Sequence, residues 1–170
     1  LRLEVLTYAD LPNNGPGRSL LGTFALTELK AQIKRPEHDT WQDLSLAEPT
    51  ADFSTEERPM ASVPNAEVKQ DDKQRVGPVA FMIDGDDTTA WYADRGPGRR
   101  NTDSVAVVQF TEPLDFSSGT ELRVNLHFRN SLREDLRTAD FGRGLLTIGR
   151  FRLAVTKSKN PRATHYSHAT

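Results

Sequence analysis

The chain contains no cysteine. Disulfides, thiolate zinc sites and cysteine nucleophiles are thereby excluded, while the compartment stays open. Long apolar runs are missing as well. No segment reads as a membrane span, so membrane insertion is not expected, and the first residues lack the pattern of a signal peptide. Aromatic residues make up only 8% of the 170, and the formal charge is −2. So small a charge gives no global pull toward nucleic acid or a membrane surface. Basic residues do not interleave with aromatics, which argues against a nucleic-acid partner. Catalytic signatures are absent too: no Gly-x-Ser-x-Gly elbow, P-loop or dinucleotide fingerprint occurs. His38, His127, His165 and His168 form no His-Glu-x-x-His arrangement and read as solvated. No pair of carboxylates is set apart as a hydrolytic acid and base. These absences point away from an enzyme. There is no Asn-x-Ser/Thr sequon, and the chain starts at Leu1 rather than Met. That start reads as a processed product or a domain cut from something larger.

What is present reads as strands. Hydrophobic content is 36% and charged content 27%, which suits one domain with a real core and much loop. Leu1 to Tyr8 alternates in polarity, and Thr23 to Ile33 forms a second strand. Its parity slips at Thr27-Glu28, which predicts a bulge there. Trp41–Leu46, Val105–Phe110, Glu121–Arg129 and Leu145–Thr156 are further strands. The last carries Ile148, Phe151, Leu153 and Val155 as its apolar set. Residues 50–78 read as a long polar excursion with a helical turn near Thr55–Met60, and 131–144 as a charged loop. The fold class that follows is all-β, an antiparallel sandwich of about eight strands. The domain spans residues 1–156, and 157–170 form a polar C-terminal tail.

The run Ile83-Asp84-Gly85-Asp86-Asp87-Thr88-Thr89-Ala90-Trp91 is the densest chemistry in the chain. Its carboxylates, hydroxyls and carbonyls are ligands for a hard cation such as Ca²⁺. Taken alone, an Asp-Gly turn feeding a strand is the commoner reading. An EF-hand is ruled out, since it would need Gly at Thr89 and Glu at Arg95. Two Gly-Pro-Gly-Arg turns also recur, Gly15–Arg18 and Gly96–Arg99, the second followed by Arg100. Each reads either as a rigid turn with a solvated arginine or as a loop presenting arginine donors to an anionic ligand.

The Asp84 loop with Trp91, followed by Val105–Phe110 and then Ile148–Thr156, resembles the discoidin-type or coagulation-factor C-type domains. Leu1–Val5 and Ala25–Ala31 resemble that family's closing hairpin, moved to the start of the chain. The order therefore looks circularly permuted, with Leu1–Tyr8 and Thr23–Ile33 expected to pair as neighbours. The whole chain also resembles a domain of large planctomycete surface proteins that carry cytochrome-c-like domains. Leu11-Pro-Asn-Asn-Gly-Pro-Gly-Arg18 and Thr147–Thr156 carry that likeness along with the Asp84 loop.

The resemblance implies a galactose-binding-like jelly roll in an extracytoplasmic setting, periplasmic or at the cell surface. It implies a structural Ca²⁺ held by the side chains of Asp84, Thr89 and Glu28 and the carbonyls of Phe81, Asp86, Thr89 and Thr27. Arg150 or Arg152 is the alternative occupant, replacing the ion by a salt bridge. Trp91 reads as core. Loops 54–78, 92–104 and 129–144, with 9–22 beside them, are expected at one end of the sandwich. The leading expectation is a non-catalytic carbohydrate-binding module taking a polysaccharide or glycan. Arg18, Tyr92, Arg99, Arg100 and Asn101 are its candidate contacts. The alternative is a structural module docking on neighbouring domains of a larger chain. A concave polar-aromatic pocket would favour the first, and an exposed apolar patch the second.

Overall fold

The computed structural model describes residues 1–63, 73–116, 118–129 and 146–164. Among the described residues there are eleven strands and three short 3₁₀ turns, so the all-β expectation holds. The strands are β1 (Arg2–Val5), β2 (Ala25–Leu26), β3 (Glu28–Lys34), β4 (Gln42–Leu44), β5 (Leu46–Ala51) and β6 (Arg58–Pro59). They continue with β7 (Arg75–Gly77), β8 (Thr89–Tyr92), β9 (Ser104–Phe110), β10 (Glu121–His127) and β11 (Phe151–Ala154). Three sheets result, ordered β11-β1-β9-β5, β10-β3-β4 and β2-β8-β7-β6. All pairings are antiparallel except β7 with β8.

The first sheet is one layer of the sandwich. Its inward residues Leu1, Leu3 and Val5 from β1 and Ala106 and Val108 from β9 pack on the other two sheets, which contribute Leu26, Leu29 and Trp91. Alternation dictates this, because successive side chains of a strand point to opposite faces. Phe24 meets Trp91 edge-on, with ring centroids 5.2 Å apart. A second cluster, with Met60, Val76, Ala90, Tyr92 and Leu146, lies on the far side of β8. All four residues of β8 are buried, so this strand has core on both faces.

The expected hairpin of Leu1–Tyr8 with Thr23–Ile33 does not form. β1 pairs instead with β9 and β11. The parity slip at Thr27-Glu28 is the reason: it is not a bulge within one strand but the point where the chain changes sheet, from β2 to β3. Thr27 is fully buried there, with its N–H donating to the His127 carbonyl and its hydroxyl accepting from the Arg129 N–H. Within 50–78 the described residues are likewise not a mere surface excursion, since Met60 and Val76 are fully buried and the 3₁₀ turn forms at Met60–Ser62; 64–72 lie outside the described residues. The final strand is shorter than 145–156, and of its expected apolar set Ile148 is in the core while Phe151, Leu153 and Val155 stay partly exposed, as described below. The expected 131–144 loop lies outside the described residues. The start of the tail runs to the opposite edge of the first sheet, where the Ala163 N–H donates to the Thr50 hydroxyl.

The two Gly-Pro-Gly-Arg turns differ in kind. A Cβ on Gly17 would stand 2.0 Å from the Thr23 carbonyl oxygen, because the loop is folded flat against that backbone. Gly98 has φ +76° and open space around it. Gly17→Ala should therefore lower the free energy of unfolding by at least about 2 kcal/mol. Gly98→Ala should cost only about 1 kcal/mol, the price of a left-handed backbone. Denaturant titration of the two variants checks this, and equal losses would contradict it.

Candidate functional site

The Asp84 loop is built as a pair of nested turns. The Asp84 carboxylate accepts from the Asp86 N–H at 2.9 Å and from the Thr89 hydroxyl at 2.8 Å. Asp86 in turn accepts from the N–H and hydroxyl of Thr88, which hold its carboxyl below the usual range. Short side chains that bond their own backbone two residues on give this geometry, and Gly85 supplies the positive φ of 77°. Glu28 reaches the loop from β3, its Oε2 accepting the Gly85 N–H at 3.1 Å. That carboxylate is buried, and burial pushes its pKa up; the negative charges of Asp84 and Asp87 act in the same direction, opposed by Lys30.

Glu28, Asp84, Asp86 and Thr89 thus gather at the loop, Glu28 through the Gly85 N–H and the others through their own turn. Thr27 and Phe81 belong to the flanking backbone: Thr27 at the sheet change, Phe81 in the 3₁₀ turn Val79–Ile83 that leads into Asp84. Among the described residues no group of three or more His, Cys, Asp or Glu side chains is arranged to hold a metal. What the loop holds is the Glu28 carboxylate on the Gly85 N–H and, next to it in sequence, the Asp84 carboxylate bound by the Thr89 hydroxyl. The arginine alternative is not realised. The Arg150 guanidinium lies over the Tyr8 ring at 5.3 Å, and Arg152 pairs with Glu4.

The candidate ligand contacts divide. Tyr92 is fully buried, its hydroxyl donating to Asp94 at 3.2 Å and lying 3.4 Å from the Thr23 hydroxyl. Burial raises its pKa to about 12. It is a core residue and offers no stacking platform. Arg100 also turns inward, its Nε and Nη2 donating to the two Asp94 oxygens at 2.8 and 3.0 Å. Of the five, Arg18, Arg99 and Asn101 are exposed. The continuous apolar run Ala90-Trp91-Tyr92-Ala93 was the signal that Tyr92 belongs to a doubly buried strand.

Two acids missed by the sequence reading organise this end. Asp94 clamps the second Gly-Pro-Gly-Arg turn by also accepting the Gly96 N–H. Asp52 accepts from Arg95 at 2.8 Å and from the Val105 N–H at 2.9 Å, tying three segments together. Loop 52–55 does sit beside loop 92–95, since the Thr55 N–H donates to the Tyr92 carbonyl. The 9–22 loop is joined elsewhere, to 146–149, through Gly17, Arg18 and Pro16.

Two further surface features stand out among the described residues. One is a groove of about 340 Å³ between β3, β4 and the turn after β9, lined by Arg35, Gln42, Asp43, Phe110 and Glu112 among others. The other is the core-side face of β11, where Phe151, Leu153 and Val155 are 50%, 36% and 56% exposed. Their register neighbours Val5 and Leu3 are buried, so the opposing layer stops short of this strand. Comparison with family models, with curated proteins and with solved structures finds no match to this chain.

The Asp94 clamp has a pH signature. Burial alone would raise its carboxyl, but the Arg100 bonds and the Gly96 N–H outweigh burial and hold it below the ordinary value. A carboxyl depressed in the folded state contributes stability above its unfolded pKa, and this is lost as pH falls through the folded one. Asp94→Asn should therefore cost about 1–3 kcal/mol at neutral pH. The gap from wild type should close below about pH 3.9. A gap that stays constant with pH would contradict the clamp.

Proposed function

We propose that this chain is a non-catalytic β-sandwich module that works by docking, and that β11 is its contact strand. The observation behind this is the uncovered row Phe151, Leu153 and Val155 on an edge strand. Exposed apolar edges invite pairing with another strand, and proteins that do not use them blunt them with charge, proline or a bulge. Here neither proline nor a bulge interrupts the row, and the charge the strand carries, Arg152, lies on the other face, paired with Glu4. The non-catalytic part rests on the missing motifs and on the Asp84–Glu28 pair, of which only Glu28 is buried. A place outside the cytoplasm, within a larger surface protein of discoidin-like kind, belongs to the same proposal and rests on the resemblance. No helix among the described residues is long and apolar enough to cross a membrane.

The glycan reading keeps one specific support, which has moved away from the Gly96 loop. The groove at Arg35 carries planar hydrogen-bonding groups, with Arg35 Nη1 donating to Gln42 Oε1 at 2.8 Å, above an apolar wall with Phe110. Sugars are held by such planar polar groups beside an aromatic surface. A glycan array run on wild type and on Arg35→Ala with Gln42→Ala separates this site from the Arg99 loop. Binding lost in the groove variant supports it; binding lost only in Arg99→Ala contradicts it.

Calcium is a further part of the proposal. Glu28 and Asp84 would supply carboxylate oxygens and Thr89 its hydroxyl or carbonyl, which suits a hard cation. The ion would relieve the repulsion between two close carboxylates. Added Ca²⁺ should raise the melting temperature of wild type and leave Glu28→Gln unmoved. No shift in wild type would remove the ion from the account.

Docking itself is tested by stability of the dilute chain. Exposed Leu153→Ala should change the free energy of unfolding by no more than about 0.5 kcal/mol. Its buried register neighbour Leu3→Ala should lose about 2–5 kcal/mol. A comparable loss at Leu153 would mean that the strand is already covered by its own chain, and the docking reading would fail.

A further inference from the structure

We propose that the occupant of β11 is a second copy of this chain, paired antiparallel about a two-fold axis through Leu153. The inference rests on the docking reading and adds the partner to it. Its basis is the hydrogen-bonding direction of the strand together with its sequence. The Leu6 N–H donates to the Arg150 carbonyl on the β1 side. In an antiparallel ladder, alternate residues point their backbone groups to opposite sides. Arg152 and Ala154, like Arg150 just before the strand, therefore face β1; Phe151 and Leu153 present N–H and C=O groups outward, as does Val155 where the ladder is continued one residue past the strand. β11 is the terminal strand of its sheet, and no described residue bonds to that side.

The registers open to a two-fold pair are not equivalent. Centred on Leu153, the ladder places Phe151 opposite Val155 of the second copy and Leu153 opposite its own equivalent. All three outward-facing residues then meet hydrogen-bonding partners, and the apolar row becomes a continuous strip across the two copies. Arg152 falls opposite Ala154, and Arg150 opposite Thr156, so no like charges face each other. A register centred on Arg152 sets the two Arg152 residues against each other. One centred on Phe151 sets Arg150 against Arg152. Like charges directly opposite are destabilising. Shifting the centre to Val155 instead faces Leu153 with Lys157 and Phe151 with Lys159, which discards the apolar match. Within its own copy Arg152 is held by Glu4 on the opposite face, so its charge is already partnered. The association joins two four-stranded sheets into one of eight, and on its core side the strip lies between the two opposing layers.

The absence of cysteine makes the test clean, because a single introduced thiol can only pair with its own copy. At the two-fold axis the Cα atoms of the hydrogen-bonded pair are about 5.5 Å apart. This lies within the disulfide range of about 4.4–6.8 Å. Under mild oxidation Leu153→Cys should give a covalent dimer. Phe151→Cys should not, since its equivalent lies about 13 Å away along the strand. Mixing Phe151→Cys with Val155→Cys should give the mixed dimer. In parallel, sedimentation of the unmodified chain from about 1 µM to about 1 mM should show a monomer–dimer equilibrium, as mass action requires. Leu153→Lys should weaken it about tenfold or more, because it sets two like charges on the axis. Circular dichroism of each variant confirms that the fold is kept. A chain that stays monomeric throughout, or cross-linking equally efficient at all three positions, overturns the proposal. If that happens while Leu153→Ala remains neutral in the dilute chain, docking stands and the partner is a different strand. If Leu153→Ala is costly, docking itself has failed.

Discussion

Burial of β8 on both faces is the constraint from which the rest follows. Trp91 faces the sandwich core and Tyr92 the second cluster beyond it. A central strand so enclosed fixes what lies at its two ends. Before it, the chain must leave a packed layer abruptly, and the nested turns of Asp84 and Asp86 do this. After it, the chain must clear Tyr92 and return to β9, and the Asp94 and Asp52 carboxylates fasten that path to Arg100, Arg95 and the Val105 backbone. The polar groups that look available for ligand near Tyr92 are thereby committed to the fold.

The same arrangement leaves β11 uncovered. The second layer is gathered around β8 and β3, whose side chains fill the space over β1 and β9. β11 lies beyond that reach. Its apolar side chains line up with Leu3 and Val5 on the inner face, yet they keep between a third and a little over half of their surface exposed. A strand with a core-like sequence and a surface-like environment is the signature of a surface that completes itself by association.

Much of the fold could be read from the chain. The alternation in β1, β9 and β10 marked them as half-buried strands, and the parity slip at Thr27-Glu28 marked a real discontinuity. What alternation could not supply was pairing partners. A change of sheet and a bulge leave the same mark in sequence, because both shift the side-chain period by one residue. At the candidate site, short polar residues around Gly85 specify their own turn, which joins Asp84 and Thr89, while Glu28 was brought to it through the family resemblance. Tyr92 and Arg100 were misread because polarity was weighed one residue at a time. A tyrosine in a continuous apolar run belongs to the core, and an arginine six residues after an aspartate has a local partner. The exposure of β11 was beyond reach from sequence, since Phe151, Leu153 and Val155 have the pattern of any buried strand face.

The most direct measurement is residue-resolved amide hydrogen exchange along β11 in the dilute chain. An open outer edge requires alternation: slow exchange at Arg152 and Ala154, whose N–H groups face β1, and fast exchange at Phe151, Leu153 and Val155. That pattern is the predicted result. Uniformly slow exchange across the five residues would show the edge already paired within the chain, and would contradict the account.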